Sequence, residues 1–456
     1  MIATTTTPNG DLAQRGRPRP RTKSRMALIL VGSMVAGLIT AVFLAAVPFI
    51  PPEENALTGA VLLGFAVGWA LLAVLSIRFS DQPQRWAVAP AVFMALVGVA
   101  SFSGSGPVHN VLSWVWPPAL FALVVWMFLH IRSQLHSRAL WLLYPILAVL
   151  TVASVGGGYE TVRESLDAKA FPMPGQLMDV GGYRLHLNCT GSGSPTVILE
   201  PGQGGVSSDF AWIAPVVARH STVCVYDRPG LGWSDAADGP QDGDRIAADL
   251  HTLLDRAHVP GPYVLAGHSF GGLYVQAFAA KFPNQVAGMV LLDSTAPKPG
   301  PAQPAKPGSY NGLSRVSAVL STIAHFGVGR VIAQGSYGSL PPGVQGEARA
   351  NASTAHNLAS FIDEFVQANT AMQQASSLTS LTGKPLIVLT ADEGINDDQW
   401  QPKQDRMATL STNSLHRHTA ATHESLLDDQ GDSAAASQAI SDVAASVRTS
   451  RPLVAR

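Results

Sequence analysis

Charge is scarce in this sequence: Asp, Glu, Lys and Arg make up 13% of its 456 residues and sum to a net charge of -1. Such a balance offers no overall basic field, and no nucleic-acid partner is expected. No Cys or His spacing resembles a metal site and no phosphate-cradling loop occurs; the stretches GSGSP and GPQDGD read as turns. No cofactor and no metal are therefore expected. The shortage of charge is most severe before about residue 158, where five long runs are nearly free of it.

Those runs, 26–50, 57–77, 86–102, 111–131 and 139–159, are each about the length needed to cross roughly 30 Å of hydrocarbon as a helix. They predict an all-α transmembrane region of about five helices. Core helices, or a cleaved signal peptide in the first run, are the alternatives; against the latter, the first apolar run is too long and four similar ones follow. The third run is the shortest and carries Pro90, so a four-span version is the alternative. The runs lack the internal acidic or basic residues that mark an ion path, which favours an anchor over a transporter. Residues 1–25 are basic and almost without apolar side chains, and are expected to be disordered.

The cations alternate between loops. Arg15, Arg17, Arg19, Arg21, Lys23 and Arg25 precede the first span, Arg78 and Arg85 lie between spans two and three, and Arg132 and Arg138 between four and five. The intervening loops PPEENA and SGSGPVHN have no Lys or Arg. Because short cationic loops stay cytoplasmic, the N-terminus is expected inside and everything beyond residue 160 outside the cell membrane.

From residue 175 the pattern changes to short apolar runs separated by glycine turns and amphipathic helices. Leu177–Val180 and Tyr183–Cys189 read as a hairpin, followed by PTVILEPG, STVCVYDRPG, the helix 244–258, PYVLAGHS and VAGMVLLDS. Alternating strands and helices predict a mostly parallel sheet covered on both faces, with ligands at the carboxyl ends of its strands. Ser269, between Gly267 and Gly271 in YVLAGHSFGG, follows such a strand and precedes an apolar helix. That is the context of a nucleophile elbow: small residues make room for a serine on a strained turn, and the helix start offers N–H groups to an oxyanion.

A serine hydroxyl needs a base, itself oriented by an acid, and in such a fold acid and base follow the nucleophile in the chain. TNSLHRHTAATHESLLDD offers His416, His418 and His423; the first two fall within an expected last strand, whereas His423 lies in the loop beyond it and is the expected base. For the acid, Asp293 ends VLLDS, while Asp392, Asp397 and Asp398 follow PLIVLT. Either position can reach the same histidine.

With VILEPGQGG, VYDRPGLGWSD, PYVLAGHSFGG, GMVLLDS and ATHESLLDD in this order, residues 175–450 resemble the α/β-hydrolase superfamily, in particular bacterial serine esterases and lipases. The resemblance implies an α/β fold with an eight-stranded, mostly parallel sheet, a core at 175–294 and 385–450, and a helical cap inserted at 295–384, joined to the spans by a linker at 160–174. It implies an oxyanion hole made by the backbone N–H groups of Gln203 and Phe270. Two departures stand out: Pro201-Gly202 replaces the usual His-Gly, and Gly394 falls where the triad aspartate commonly sits after the seventh strand. The second departure favours Asp293, an arrangement also found in the superfamily.

The cap opens with the proline-rich APKPGPAQPAKPGSY and carries Leu320, Ile323, Phe326, Phe361, Ile362 and Phe365. Most of these are expected to pack the cap onto its own domain, the alternative being an acyl pocket. Cys189 and Cys224 fall on neighbouring strands of the fold; a disulfide is open to them outside the cell, but its geometry is demanding and two buried thiols are favoured. The whole reads as a membrane-anchored serine hydrolase of carboxylic esters, lipid or envelope esters among them. The alternatives are an amide or lactone hydrolase using the same residues, or a catalytically silent receptor.

Overall fold

The computed structural model describes residues 26–103, 106–134, 140–237, 239–300, 312–394 and 397–454. The basic stretch 1–25, residues 301–310 of the proline-rich stretch and Asn311 lie outside them. Five helices among the described residues are long and apolar enough to cross a membrane: α1 Met26–Ala46, α2 Glu54–Phe79, α3 Val88–Ser103, α4 Gly106–Gln134 and α5 Leu140–Ala170. Small residues let α1 and α2 approach closely; a Cβ on Gly64 would come within 2.3 Å of the Ala41 backbone.

Prolines within the spans are accommodated locally. Pro90 sits in the first turn of α3, where no intrahelical N–H is required. Pro117 in α4 leaves the Ser113 carbonyl without its helical donor, and the Thr161 hydroxyl of α5 donates to it at 3.2 Å. The expected linker is largely helical, because α5 runs on to Ala170 through ETVRESLDAKA. These are good helix formers, with Arg163 and Asp167 paired one turn apart.

The remainder is an eight-stranded sheet in the order β1-β2-β4-β3-β5-β6-β7-β8: β1 Gln176–Asp179, β2 Arg184–Thr190, β3 Val197–Glu200, β4 Val223–Tyr226, β5 Tyr263–His268, β6 Val286–Leu292, β7 Leu386–Ala391 and β8 Ser414–Thr419. Only the β1–β2 and β2–β4 pairings are antiparallel. The helices of this half are α6 Ala214–Val217, α7 Gly243–Arg256, α8 Gly271–Lys281, α9 Gly312–Ala324, α10 Val328–Ala333, α11 Pro342–Ala352, α12 Ala355–Ala375, α13 Trp400–Ala408, α14 Ser425–Asp428 and α15 Ser433–Thr449.

Side-chain alternation along the central strands builds two cores. Leu265, Ile198 and Leu291 join α7 and α8 on one face, and Val264, Ala266, Leu199 and Val290 join α15 on the other. Helices on both faces explain why β3, β5 and β7 are buried without a break.

Two expectations fail here. The β2–β4 register sets Cys189 opposite Cys224, and the two form a disulfide rather than two thiols. In the cap, Leu320, Ile323 and Phe365 do not pack inward but are exposed, and Phe361, also exposed, keeps one edge of its ring against Gly204.

Candidate active site

β5 delivers Ser269 into a turn in which it holds φ +53°, a conformation costly for any residue but glycine. The turn is pinned: Ser269 N–H donates to the Leu292 carbonyl at 3.1 Å, and its own carbonyl accepts from Gly272 and Thr295. No room exists for larger neighbours. A Cβ on Gly267 would come within 2.5 Å of the Gly271 carbonyl, and one on Gly271 within 2.3 Å of the Glu200 carbonyl oxygen. The elbow is therefore wedged beneath the end of β3, and the loop leaving β3 lies against it: a Cβ on Gly202 would be 3.1 Å from that of Ser269.

Gln203 follows Gly202, and Phe270 caps the start of α8. Neither backbone N–H donates to another described residue. Two unspent donors thus flank the serine, where a helix start adds favourable potential for an anion.

His423 lies in the loop after β8, half-exposed, with Nδ1 2.6 Å from Asp293 Oδ2. Asp293, at the end of β6, is sealed from water, and its other oxygen accepts from Trp400 Nε1 at 2.8 Å and Ala391 N–H at 3.3 Å. A carboxylate held on both oxygens fixes the Nδ1–H tautomer of His423 and leaves Nε2 free to take a proton. The Ser269 hydroxyl makes no hydrogen bond to a described residue, His423 included.

The rival residues are engaged elsewhere. Asp392 pairs with His418 at 2.9 Å, both solvent-exposed. Asp397 pairs with Lys403, Asp398 is exposed, and His416 is held between Asp405 and Thr390. Each of the three histidines considered has an aspartate of its own, and only the His423–Asp293 pair borders the elbow.

Three residues of this region escape a motif reading. His268 is buried and donates from Nε2 to the His423 carbonyl at 2.8 Å, which secures the loop carrying His423. Burial pushes the imidazole down to about 3, so it stays neutral in this role. Arg228, also fully buried, donates to Glu200, to the Pro201 and Gly202 carbonyls, and to Glu364 of α12. Glu364 in turn accepts from Gly204 N–H at 2.7 Å. An arginine immediately after a buried strand and a lone glutamate on an otherwise mixed cap helix are the only signals of this brace in the sequence.

Residues 195–426 match the family model described as alpha/beta hydrolase fold. An uncharacterized protein of Schizosaccharomyces pombe is 35% identical over 155 residues, 27% of this chain and 29% of that protein. A 2-hydroxy-6-oxo-2,4-heptadienoate hydrolase of Pseudomonas putida is 31% identical over 121 residues, 26% of this chain and 44% of that protein. The matches thus span less than half the length of either relative. Among solved structures, the enol-lactonase from Burkholderia xenovorans covers 59% of this chain and 99% of its own, at 18% identity and a TM-score of 0.45. The family match takes in about half of the chain, including the Ser269 turn, Asp293 after β6 and the loop of His423, and by that match the chain belongs to the α/β-hydrolase fold family.

Proposed function

We propose that the protein is a membrane-anchored serine hydrolase of carboxylic esters. Ser269 attacks the ester carbonyl, His423 Nε2 takes the hydroxyl proton, and the alkoxide leaves on receiving that proton, with an acyl-enzyme remaining on Ser269. Water activated by the same imidazole then releases the acid. Asp293 orients and stabilises the imidazolium, and the Gln203 and Phe270 N–H groups receive the oxyanion. The observation that carries this reading is the buried Asp293 bonded at 2.6 Å to a base beside a strained serine. The open Ser269–His423 contact accords with apo sites, in which catalytic hydrogen bonds tighten on substrate binding. Five apolar helices make the chain a membrane protein, and the alternation of cationic loops supports a cytoplasmic N-terminus with the hydrolase half outside.

The test is fluorophosphonate labelling of membranes carrying the wild type, Ser269→Ala and His423→Ala. Labelling of the wild type alone supports an activated serine; no labelling of folded wild type leaves a silent receptor and ends the enzymatic reading.

A further inference from the structure

Beyond Ala170, the exposed large apolar side chains are concentrated in one place. Val316, Val319, Leu320 and Ile323 belong to α9, Val328, Val331 and Ile332 to α10, and Phe361 and Phe365 to α12; among the described residues only Val454 lies elsewhere. On α9 the four fall at i, i+3, i+4 and i+7, a single stripe of one helix face. The helix is turned inside out for a water-soluble cap, since its inward residues are Arg315, Ser317, Ala318 and Ser321. The same inversion holds for α10, which buries Arg330 and faces Val331 outward at 70% exposure.

Besides the neighbouring cap helices, the inward faces touch the spans. Arg315 donates to the Ala45 carbonyl at 2.9 Å, at the end of α1, and also to the Ile50 carbonyl. Ala318 packs with Val47, Ile50, Leu57 and Ala60, and the Thr322 and Thr58 hydroxyls are bonded at 2.6 Å. Arg330 is paired with Glu160 and Asp167, where α5 becomes charged. Thus α9 runs beside the first turns of α2, at the level where the spans leave the hydrocarbon, and its apolar stripe points away from protein at that level. Leaving seven such side chains in water forfeits the free energy that their burial would release. A helix of this kind lies in the interface of a bilayer, its apolar face sunk by about 5–10 Å.

We propose that the α9–α10 face of the cap is embedded in the interfacial layer of the bilayer that holds the five spans, and that Ser269 takes its ester from that bilayer. The substrate class is then a membrane-resident acyl-chain ester. The substrate clause rests on the serine-hydrolase reading; the membrane contact does not. The route is continuous: α9 packs along α12, and Phe361 of α12 lies on Gly204, next to Gln203 in the loop against Ser269.

Full-length protein in lipid nanodiscs, labelled with an environment-sensitive fluorophore at Leu320→Cys, Val331→Cys or Val454→Cys, tests the contact, since the native cysteines are bonded to each other. Nitroxide lipids labelled near the headgroup quench the first two positions and spare the third. Equal quenching at all three, or unquenched positions that cross-link to a second copy, overturns the proposal. For the substrate clause, Leu320→Ser combined with Val331→Ser lowers kcat/KM for a long-chain ester in the nanodisc about tenfold, and for a water-soluble short-chain ester less than about twofold. Equal losses on both esters overturn that clause. If the wild type hydrolyses neither ester and Ser269 takes no fluorophosphonate, the hydrolase reading and the substrate clause fall together, and the quenching still decides the membrane contact.

Discussion

Glu364 of the cap and Arg228 of the core are joined by two contacts, Nε to Oε1 at 2.6 Å and Nη2 to Oε2 at 3.1 Å, with both side chains sealed from water. The same glutamate holds the Gly204 N–H, so cap, arginine and the loop after β3 form one unit. Glu364→Ala leaves the buried guanidinium with Glu200 as its carboxylate partner but with Nε unpaired, and is expected to destabilise the protein by about 1–3 kcal/mol, read as a fall in melting temperature. Glu364→Gln keeps the shape, and its expected effect is on kcat, up to about 10²-fold through a displaced loop, with KM little changed. A Gln variant with wild-type kcat removes the brace from catalysis.

Asp293 and Asp392 are both near imidazoles, but only Asp293 is buried and bonded to His423. Asp293→Asn, which disturbs the tautomer of His423, is expected to lower kcat by about 10³–10⁴-fold. Asp392→Asn, which breaks only the exposed pair with His418, should leave kcat within about threefold. Esterase rates of the two variants decide the matter, and reversed losses would transfer the acid to Asp392.

The legible parts of this protein are those in which one local constraint restricts residue type. The elbow needs glycine on both sides of Ser269 because backbone lies within 2.5 Å of each absent Cβ. The spans need unbroken apolar runs because no water reaches their backbone. The illegible parts depend on register or on distant partners. Whether Cys189 meets Cys224 follows from the antiparallel β2–β4 alignment, which strand patterns do not encode. Arg228 and Glu364 lie 136 positions apart. The stripe on α9 is visible as periodicity, but periodicity alone suggests a buried face, and only its position beside α2 turns it outward.

His268 gives the fold a pH dependence of definite sign. Burial pushes it down to about 3, whereas an unfolded histidine titrates near about 6.5. Between those values the unfolded chain binds the extra proton, so this residue's contribution to stability falls with pH by about 1.4 kcal/mol per unit. Asp209 opposes it: burial raises that carboxyl to about 7, and its contribution is lost as pH rises through that range. The wild-type profile alone is therefore uninformative. Compared in detergent at pH 7.5 and pH 5, His268→Asn should improve relative to wild type by about 2 kcal/mol at the lower pH. A gap that does not change with pH would show that His268 is protonated or hydrated in the fold.

The disulfide and the loop charges make one joint prediction about topology. Cys189 and Cys224 are bonded across β2 and β4, a bond that persists in oxidising compartments and is rare in the cytosol. Under the proposed topology, five spans after a cytoplasmic, cationic N-terminus put the hydrolase half on the oxidising side. Alkaline phosphatase fused after Val454 should be active and a fluorescent protein at the same point dark. In protein denatured without reductant, maleimide should find no thiol, and after reduction two. Closing a loop of sequence separation 35, the bond is expected to stabilise the domain by at most about 4 kcal/mol, so Cys189→Ala with Cys224→Ala should melt earlier. A bright fluorescent fusion with two free thiols would place the domain in the cytoplasm and require that an even number of helices cross the bilayer.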